Sequence, residues 1–386
     1  MLQGNWTYPT AVKFGAGRIR ELAAIVKSVG IKHPLLVTDA GLAKHPMVTD
    51  AIRANAASGL PTGLFSDIKP NPVEKNVADG IAAYRDGKHD GVIAFGGGSA
   101  LDVGKAIAFL SGQKRPIWDF EDVSDNWTRA DPAGIAPTVA VPTTSGTGSE
   151  VGRVSVVGYE TLRKKRLIFH PRIMPVAVIE DPELTLGLPA HITAATGMDA
   201  LAHALEAYCV DAYHPIADGV ALEGMRLIKE WLPVAVRDGK NIEARSHMMV
   251  AATMGATAFQ KGLGAIHSLS HTVGANYDLH HGLLNAVFMP YVLVFNRKAI
   301  EPKMTHLARY LGLTKPGTDG VVDWVLDLRR AIGIPHTLAE LKVGTEKLDA
   351  MIADAVADPT APTNPLPLNA PVVRRLYEQS LQGRLG

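Results

Sequence analysis

The chain has 386 residues, 47% hydrophobic and 20% charged, a composition that fits a globular enzyme of two domains or of one large elaborated one. A net charge of +1 offers neither the concentrated basic face of a nucleic-acid binder nor that of a membrane-surface protein. The lone cysteine, Cys209, excludes an internal disulfide and predicts a reducing, cytoplasmic setting. No basic and apolar leader pattern opens the chain, so no signal peptide is expected, and no apolar run is long enough to predict a membrane span.

Ile19, Leu22, Ala23 and Val26 recur at helical spacing, and Pro34–Val37 reads as a buried strand leading to Asp39. A helix over 46–57, a strand near 61–67 and a helix over 73–86 follow. Gly91–Phe95 is a short apolar strand, then Gly96, Gly97 and Gly98 precede a helix from about Ala100 to Leu110. Val139–Val141 and Val176–Ile179 are further strand-like runs. This alternation predicts parallel βαβ units over residues 1–182, with helices covering a buried sheet. Residues 183–386 are predicted to be mostly helical, with breaks near Pro215, Pro233, Gly239, Pro290 and Pro316, and with an irregular, exposed segment at 357–370.

Gly96-Gly97-Gly98-Ser99 stands where a strand meets a helix. Backbone amides at such a helix start, uncovered by side chains, bind phosphate oxygens. The loop is neither GxGxxG nor a Walker A motif, so nucleotide hydrolysis is not indicated. Asp39, at the end of an early strand, can accept hydrogen bonds from the adenosine ribose hydroxyls and repel a 2′-phosphate, although aspartate is also an ordinary turn residue. Pro142–Glu150, PTTSGTGSE, interleaves hydroxyls with glycines after a strand and can wrap a polar ligand.

In the second half, Asp199 and His203 are four apart and share a helix face. Of 14 histidines, His267, His271, His280 and His281 fall close together. A carboxylate with several imidazoles suits a divalent transition metal, iron or zinc before calcium. His267 and His271 are also four apart, so spacing alone allows them as the second metal pair. His271 as a helix-packing residue is the plain alternative. Cys209 reads as a small core hydrophobe.

Together these segments resemble the iron-containing (group III) alcohol dehydrogenases of the dehydroquinate synthase-like superfamily. The residues that carry the likeness are GGGSALDVGKAIA at 96–108, PTTSGTGSE at 142–150, DPELTLGLPAHITAATGMDALAHALEAY at 181–208, the His267–His281 cluster and TNP at 363–365. The resemblance implies an α/β dinucleotide-binding domain with a parallel sheet (1–182), an all-helical metal-binding and substrate domain (183–386), and a catalytic metal in the cleft between them. It implies Asp199, His203, His267 and His281 as the metal ligands. Gly97, Gly98 and Ser99 would hold the pyrophosphate, Asp39 and Asn71 the adenosine side, and Asp102, Thr143, Thr144 and Thr147 the remaining cofactor path. His271 would face the nicotinamide end and shuttle a proton.

The expected activity is NAD-linked oxidation of a small alcohol or reduction of an aldehyde, with iron(II) before zinc and NAD before NADP. A homodimer or larger homo-oligomer is expected, with no nucleic-acid or membrane partner. The alternatives are a maleylacetate reductase-like or hydroxy-acid dehydrogenase activity, and more remotely a dehydroquinate synthase-like cyclase.

Overall fold

The computed structural model describes residues 10–162 and 164–385; the segment in which no leader peptide is expected lies largely outside them. The chain divides into two compact units. One runs up to Thr144 and resumes over Gly148–Leu186; the other holds Ser145–Thr147 and everything from Gly187 onward.

The α/β unit contains β1 (Ala11–Phe14), α1 (Leu22–Ser28), β2 (Pro34–Val37), α2 (Pro46–Ala57), β3 (Gly63–Phe65), α3 (Glu74–Asp86), β4 (Gly91–Gly96), α4 (Gly98–Leu110), β5 (Thr138–Pro142), β6 (Val154–Tyr159), β7 (Lys164–Phe169) and β8 (Ala177–Glu180). Six strands form one parallel sheet in the order β1-β8-β5-β4-β2-β3. β2, β4, β5 and β8 are buried along their whole length, which is why they read as unbroken apolar runs and not as alternations. Two pieces escaped the sequence reading. β1 is a mostly exposed edge strand without a clear apolar pattern. β6 and β7 form a separate antiparallel pair whose mixed burial gives a weak period.

The strand order has a functional consequence. The chain leaves β2 toward β3 on one side and leaves β4 toward β5 on the other, so the topological switch lies between adjacent β2 and β4. Ligands of open parallel sheets bind outside the carboxyl ends of strands at such a switch. Asp39 and Gly96–Ser99 follow those two strand ends.

The helical unit contains α5 (Ala190–Cys209), α6 (Pro215–Arg237), α7 (Ile242–Ala258), α8 (Ala265–Tyr277), α9 (His281–Tyr310), α10 (Gly317–Ala331), α11 (Leu348–Val356) and α12 (Ala370–Gln382). α5 is its axis: every residue from Thr193 to Cys209 is buried, with α6, α7 and α9 packed around it. Alanines and glycines allow that approach. A Cβ on Gly197 would stand 2.2 Å from Leu232 on α6, and one on Gly255 of α7 would stand 3.2 Å from the His203 Cβ. At the far end, Lys303 of α9 donates to the carbonyls of Tyr208 (2.9 Å) and Val210 (2.7 Å), satisfying the orphaned C-terminus of α5.

Pro215 stands at the first position of α6, where a missing N–H costs nothing. Pro233 and Pro290, in contrast, do not break their helices; α6 and α9 continue through them. Each proline removes one backbone bond, and burial of the apolar face outweighs that local loss. The 357–370 segment is irregular, as expected from its composition, but only in part exposed. Asp358, Thr360 and Asn364 are buried in it, with side chains turned to α8 or to each other.

Candidate metal centre

α5 presents Asp199 and His203 one turn apart, buried at 2% and 5% exposure. α8 adds His267 in its first turn, and α9 begins with His281. Ligand atoms of Asp199, His203 and His267 lie within 4.8 Å of one another. His203 Nε2 is 3.9 Å from Asp199 Oδ1, and His281 Nε2 is 3.6 Å from that same oxygen. His203 and His267 stack with ring centroids 4.8 Å apart.

One atom shows how tightly these donors converge. The amide nitrogen Nδ2 of Asn285 lies 2.7 Å from Asp199 Oδ1, 3.2 Å from His267 Nε2 and 3.1 Å from His281 Nε2. Three donor atoms thus point at one spot, and nitrogen and oxygen donors of this kind suit iron or zinc. A glycine makes the convergence possible. A Cβ on Gly282 would stand 2.3 Å from the Ala195 carbonyl and 2.9 Å from the Asp199 Cβ, so only glycine lets the start of α9 reach α5.

The electrostatics favour a cation. Burial pushes the His203 imidazole down to about 4, so it is neutral and offers a lone pair near pH 7. Burial acts downward on His267 as well, but the Glu206 carboxylate outweighs it and leaves the ring raised. His267 Nδ1–H donates to Glu206 Oε2 at 2.5 Å, with Nε2 on the side of Asp199 and Asn285. His271, one turn along α8, donates Nδ1–H to Asp358 Oδ2 at 2.9 Å. Its ring stacks on His281, 5.2 Å between centroids. The structure therefore gathers Asp199, His203, His267 and His281, with His271 alongside. His280 is exposed at the N-cap of α9.

Glu206, Asn285 and Asp358 were missed in the sequence. Glu206 continues the 199, 203 spacing by three residues onto the same helix face, and Asn285 follows His281 by four. Those signals were present. Asp358 comes from the segment whose composition suggested surface.

In the α/β unit, Gly97 is the N-cap of α4 and brings no side-chain cap, so the first amides of that helix are uncovered. Gly96 holds φ 146°, a conformation that favours glycine. A Cβ on Gly104, further along α4, would stand 2.7 Å from the Ala94 Cβ, so this glycine sets the close helix–strand approach. Asp39 accepts the Leu42 N–H at 3.0 Å through Oδ1, and its Oδ2 lies 3.6 Å from where a Gly96 Cβ would stand. Ser99 donates its hydroxyl to the Pro70 carbonyl, next to Asn71. Thr143 N–H donates to the Gly96 carbonyl at 2.9 Å, and Thr144 packs 3.4 Å from the Gly97 Cβ position.

Asp102 has a visible architectural task. Its carboxylate accepts from Ser149 Oγ (2.5 Å) and Val156 N–H (3.1 Å) and pairs with buried Lys105 at 3.2 Å. Thr147 belongs to the short stretch counted with the helical unit, where Gly146 packs against Thr196 of α5.

A glycine cradle at a sheet switch point, in a chain whose helices bury a carboxylate among imidazoles, is the equipment of a metal-assisted, dinucleotide-linked oxidoreductase. The family model described as iron-containing alcohol dehydrogenase matches residues 9–182, and that of the Fe-containing alcohol dehydrogenase family, C-terminal, matches 193–381. A 4-hydroxybutyrate dehydrogenase of Cupriavidus necator is 40% identical over 97% of this chain and 99% of its own length. The crystal structure of a 1,3-propanediol oxidoreductase superposes with TM-score 0.93 at 33% identity, covering 98% of this chain and all of that one. Sulfoacetaldehyde reductase from Bifidobacterium kashiwanohense, in complex with NAD+, gives TM-score 0.89 at 29% identity over 98% and 99% of the two chains.

The chain belongs to the iron-containing alcohol dehydrogenase family. It is an oxidoreductase of the iron-type alcohol dehydrogenases, a family that implies a divalent metal and a small-molecule substrate. Among the described residues no helix is long and apolar enough to cross a membrane.

Proposed function

We propose that the chain interconverts a short primary alcohol and its aldehyde, using NAD in preference to NADP and iron(II) in preference to zinc, with Asp199, His203, His267 and His281 as the metal ligands. The observation that carries this reading is the convergence of Asp199 Oδ1, His267 Nε2 and His281 Nε2 on the single Asn285 amide nitrogen. A divalent ion on these donors supplies Lewis acidity to the substrate oxygen, and NAD supplies the hydride acceptor.

The residues divide the remaining work. With one aspartate and three imidazoles ligating through neutral nitrogens, a bound dication would carry net charge +1, a charge that would favour an anionic over a neutral substrate oxygen. His271 keeps Nδ1–H on Asp358, which leaves Nε2 free of that proton and able to take one from the alcohol. Gly97, Gly98 and Ser99 hold the pyrophosphate at the start of α4, with Thr143, Thr144, Thr147 and Asp102 along the cofactor and Asn71 toward the adenosine. Asp39 accepts from the ribose hydroxyls and repels a 2′-phosphate. We place the domain boundary near residue 182 and expect a homo-oligomer, which light scattering measures directly.

A second reading, a hydroxy-acid dehydrogenase, is favoured by the 40% identity to the 4-hydroxybutyrate dehydrogenase. Both are tested by one screen of alcohols, aldehydes and 4-hydroxybutyrate with NAD and NADP, on protein loaded with iron or zinc and assayed for metal content. Turnover of simple alcohols with NAD and iron supports the main reading. A kcat/KM for 4-hydroxybutyrate about tenfold above that for 1-butanol selects the second. Loaded protein that turns over none of them removes both.

A further inference from the structure

We infer that Glu206 is a positioning residue for metal binding, its carboxylate fixing the tautomer and ring angle of His267 so that Nε2 is always the nitrogen offered to the ion. The inference rests on His267 being a metal donor, as proposed above. Both oxygens of Glu206 are committed at the start of α8: Oε1 accepts the Ile266 N–H at 2.7 Å and Oε2 accepts from His267 Nδ1 at 2.5 Å. A carboxylate can only accept, so the Nδ1 facing it must carry a proton, and in the neutral ring that a metal ion requires the lone pair is left on Nε2. Burial of Glu206, at 6% exposure, keeps water from competing for either bond.

The backbone contact adds a second constraint. By gripping the amide of Ile266 and the ring of the next residue together, one carboxylate ties the His267 side chain to the main chain of its own helix. That carboxylate comes from α5, the helix that also supplies Asp199 and His203. Two elements far apart in sequence therefore hold their donors in one frame. Carboxylate partners of ligating histidines act in this way, and their removal costs about 10–100-fold in metal affinity.

The neighbouring cap provides the control. Asn364 Oδ1 accepts the Ala265 N–H at 3.1 Å, one residue earlier in α8. Asn364→Ala removes a helix cap without touching His267, whereas Glu206→Gln keeps the shape of Glu206 and replaces one acceptor by a donor. The experiment measures metal affinity of chelator-stripped parent, Glu206→Gln, Asn364→Ala and Asp199→Ala proteins with Fe2+ and Zn2+. In parallel, 15N spectra of labelled histidines record the tautomer of His267 in the metal-free parent.

The expected result is a metal Kd about 10–100-fold weaker for Glu206→Gln, against a change within about threefold for Asn364→Ala. The parent His267 is expected in the Nδ1–H form. An unchanged Kd in a folded Glu206→Gln protein overturns the inference, and so does an equal loss in both variants, which would reduce Glu206 to a helix cap. Should Glu206→Gln not fold, the parent spectrum decides: an Nε2–H tautomer overturns the inference and Nδ1–H upholds it. A parent that binds no metal, or an Asp199→Ala protein that binds it as well as the parent, removes the metal reading itself and is thereby distinguished from failure of the Glu206 clamp.

Discussion

In the reading proposed above, the metal centre and the dinucleotide cradle would bind opposite charges by opposite means. The centre is made of side chains: donors from α5, α8 and α9, brought from distant points of the chain and mostly buried. The cradle is made of main chain: uncovered amides at the start of α4, with glycine at 96, 97 and 98. A cation asks for particular atoms, and each atom lost is a ligand lost. An anion on a helix start asks for bare backbone, so its residues matter mainly by what they lack.

The contrast orders the expected effects of mutation. Asp199→Ala should cut turnover about a thousandfold or more and leave the purified protein metal-free; metal analysis beside a kcat measurement checks it, and a metal-replete, active variant would break the comparison at its stronger end. Gly282→Ala comes next. Its new methyl would collide with the Ala195 carbonyl of α5, so a destabilisation of about 1–3 kcal/mol and weakened metal retention are expected from denaturation and metal titration. In this one respect the metal centre behaves like the cradle, depending on an absent side chain.

In the α/β unit the effect should be selective and not total. Asp39→Gly is expected to raise the NADP-to-NAD ratio of kcat/KM about tenfold or more while leaving metal content untouched. An unchanged ratio would take Asp39 out of the ribose site. The smallest effect concerns His170, whose Nδ1 accepts the Arg172 N–H at 3.0 Å. Burial first, and the Arg172 charge second, hold its imidazole below the ordinary 6.5. With the folded value depressed, the unfolded chain binds more protons between that value and 6.5. Stability is therefore lost as pH falls through that window and is fully present above it. Denaturant midpoints measured across this range should show a shallower slope for His170→Asn.

The two sites also differed in how far they could be read from sequence. Gly96–Ser99 after an apolar strand, and Asp199 with His203 at one-turn spacing, were visible because local periodicity places them without knowledge of the fold. The strands β2, β4, β5 and β8 were visible for the same reason, being buried end to end. What stayed hidden depended on tertiary packing. The helices running through Pro233 and Pro290 persist because neighbours bury their faces, which no local propensity records. Asp358 is polar, follows an alanine-rich helix and lies in a proline-rich stretch, so composition placed it in solvent. Its partner His271 is 87 residues away. Glu206 was legible in principle, sharing the helix face of Asp199 and His203, yet its partner on α8 was not.

The Lys303 ammonium ties together two of the helices that carry candidate ligands. It clips the tail of α5, while the opening residue of α9 lies 22 positions earlier, about 33 Å along an ideal helix axis. The rod that begins with a candidate ligand is thus bolted near its opposite end to the rod bearing two others. Substitutions at that bolt, remote from the candidate ligands, would loosen the tie between the two rods while every one of those ligands stays unchanged.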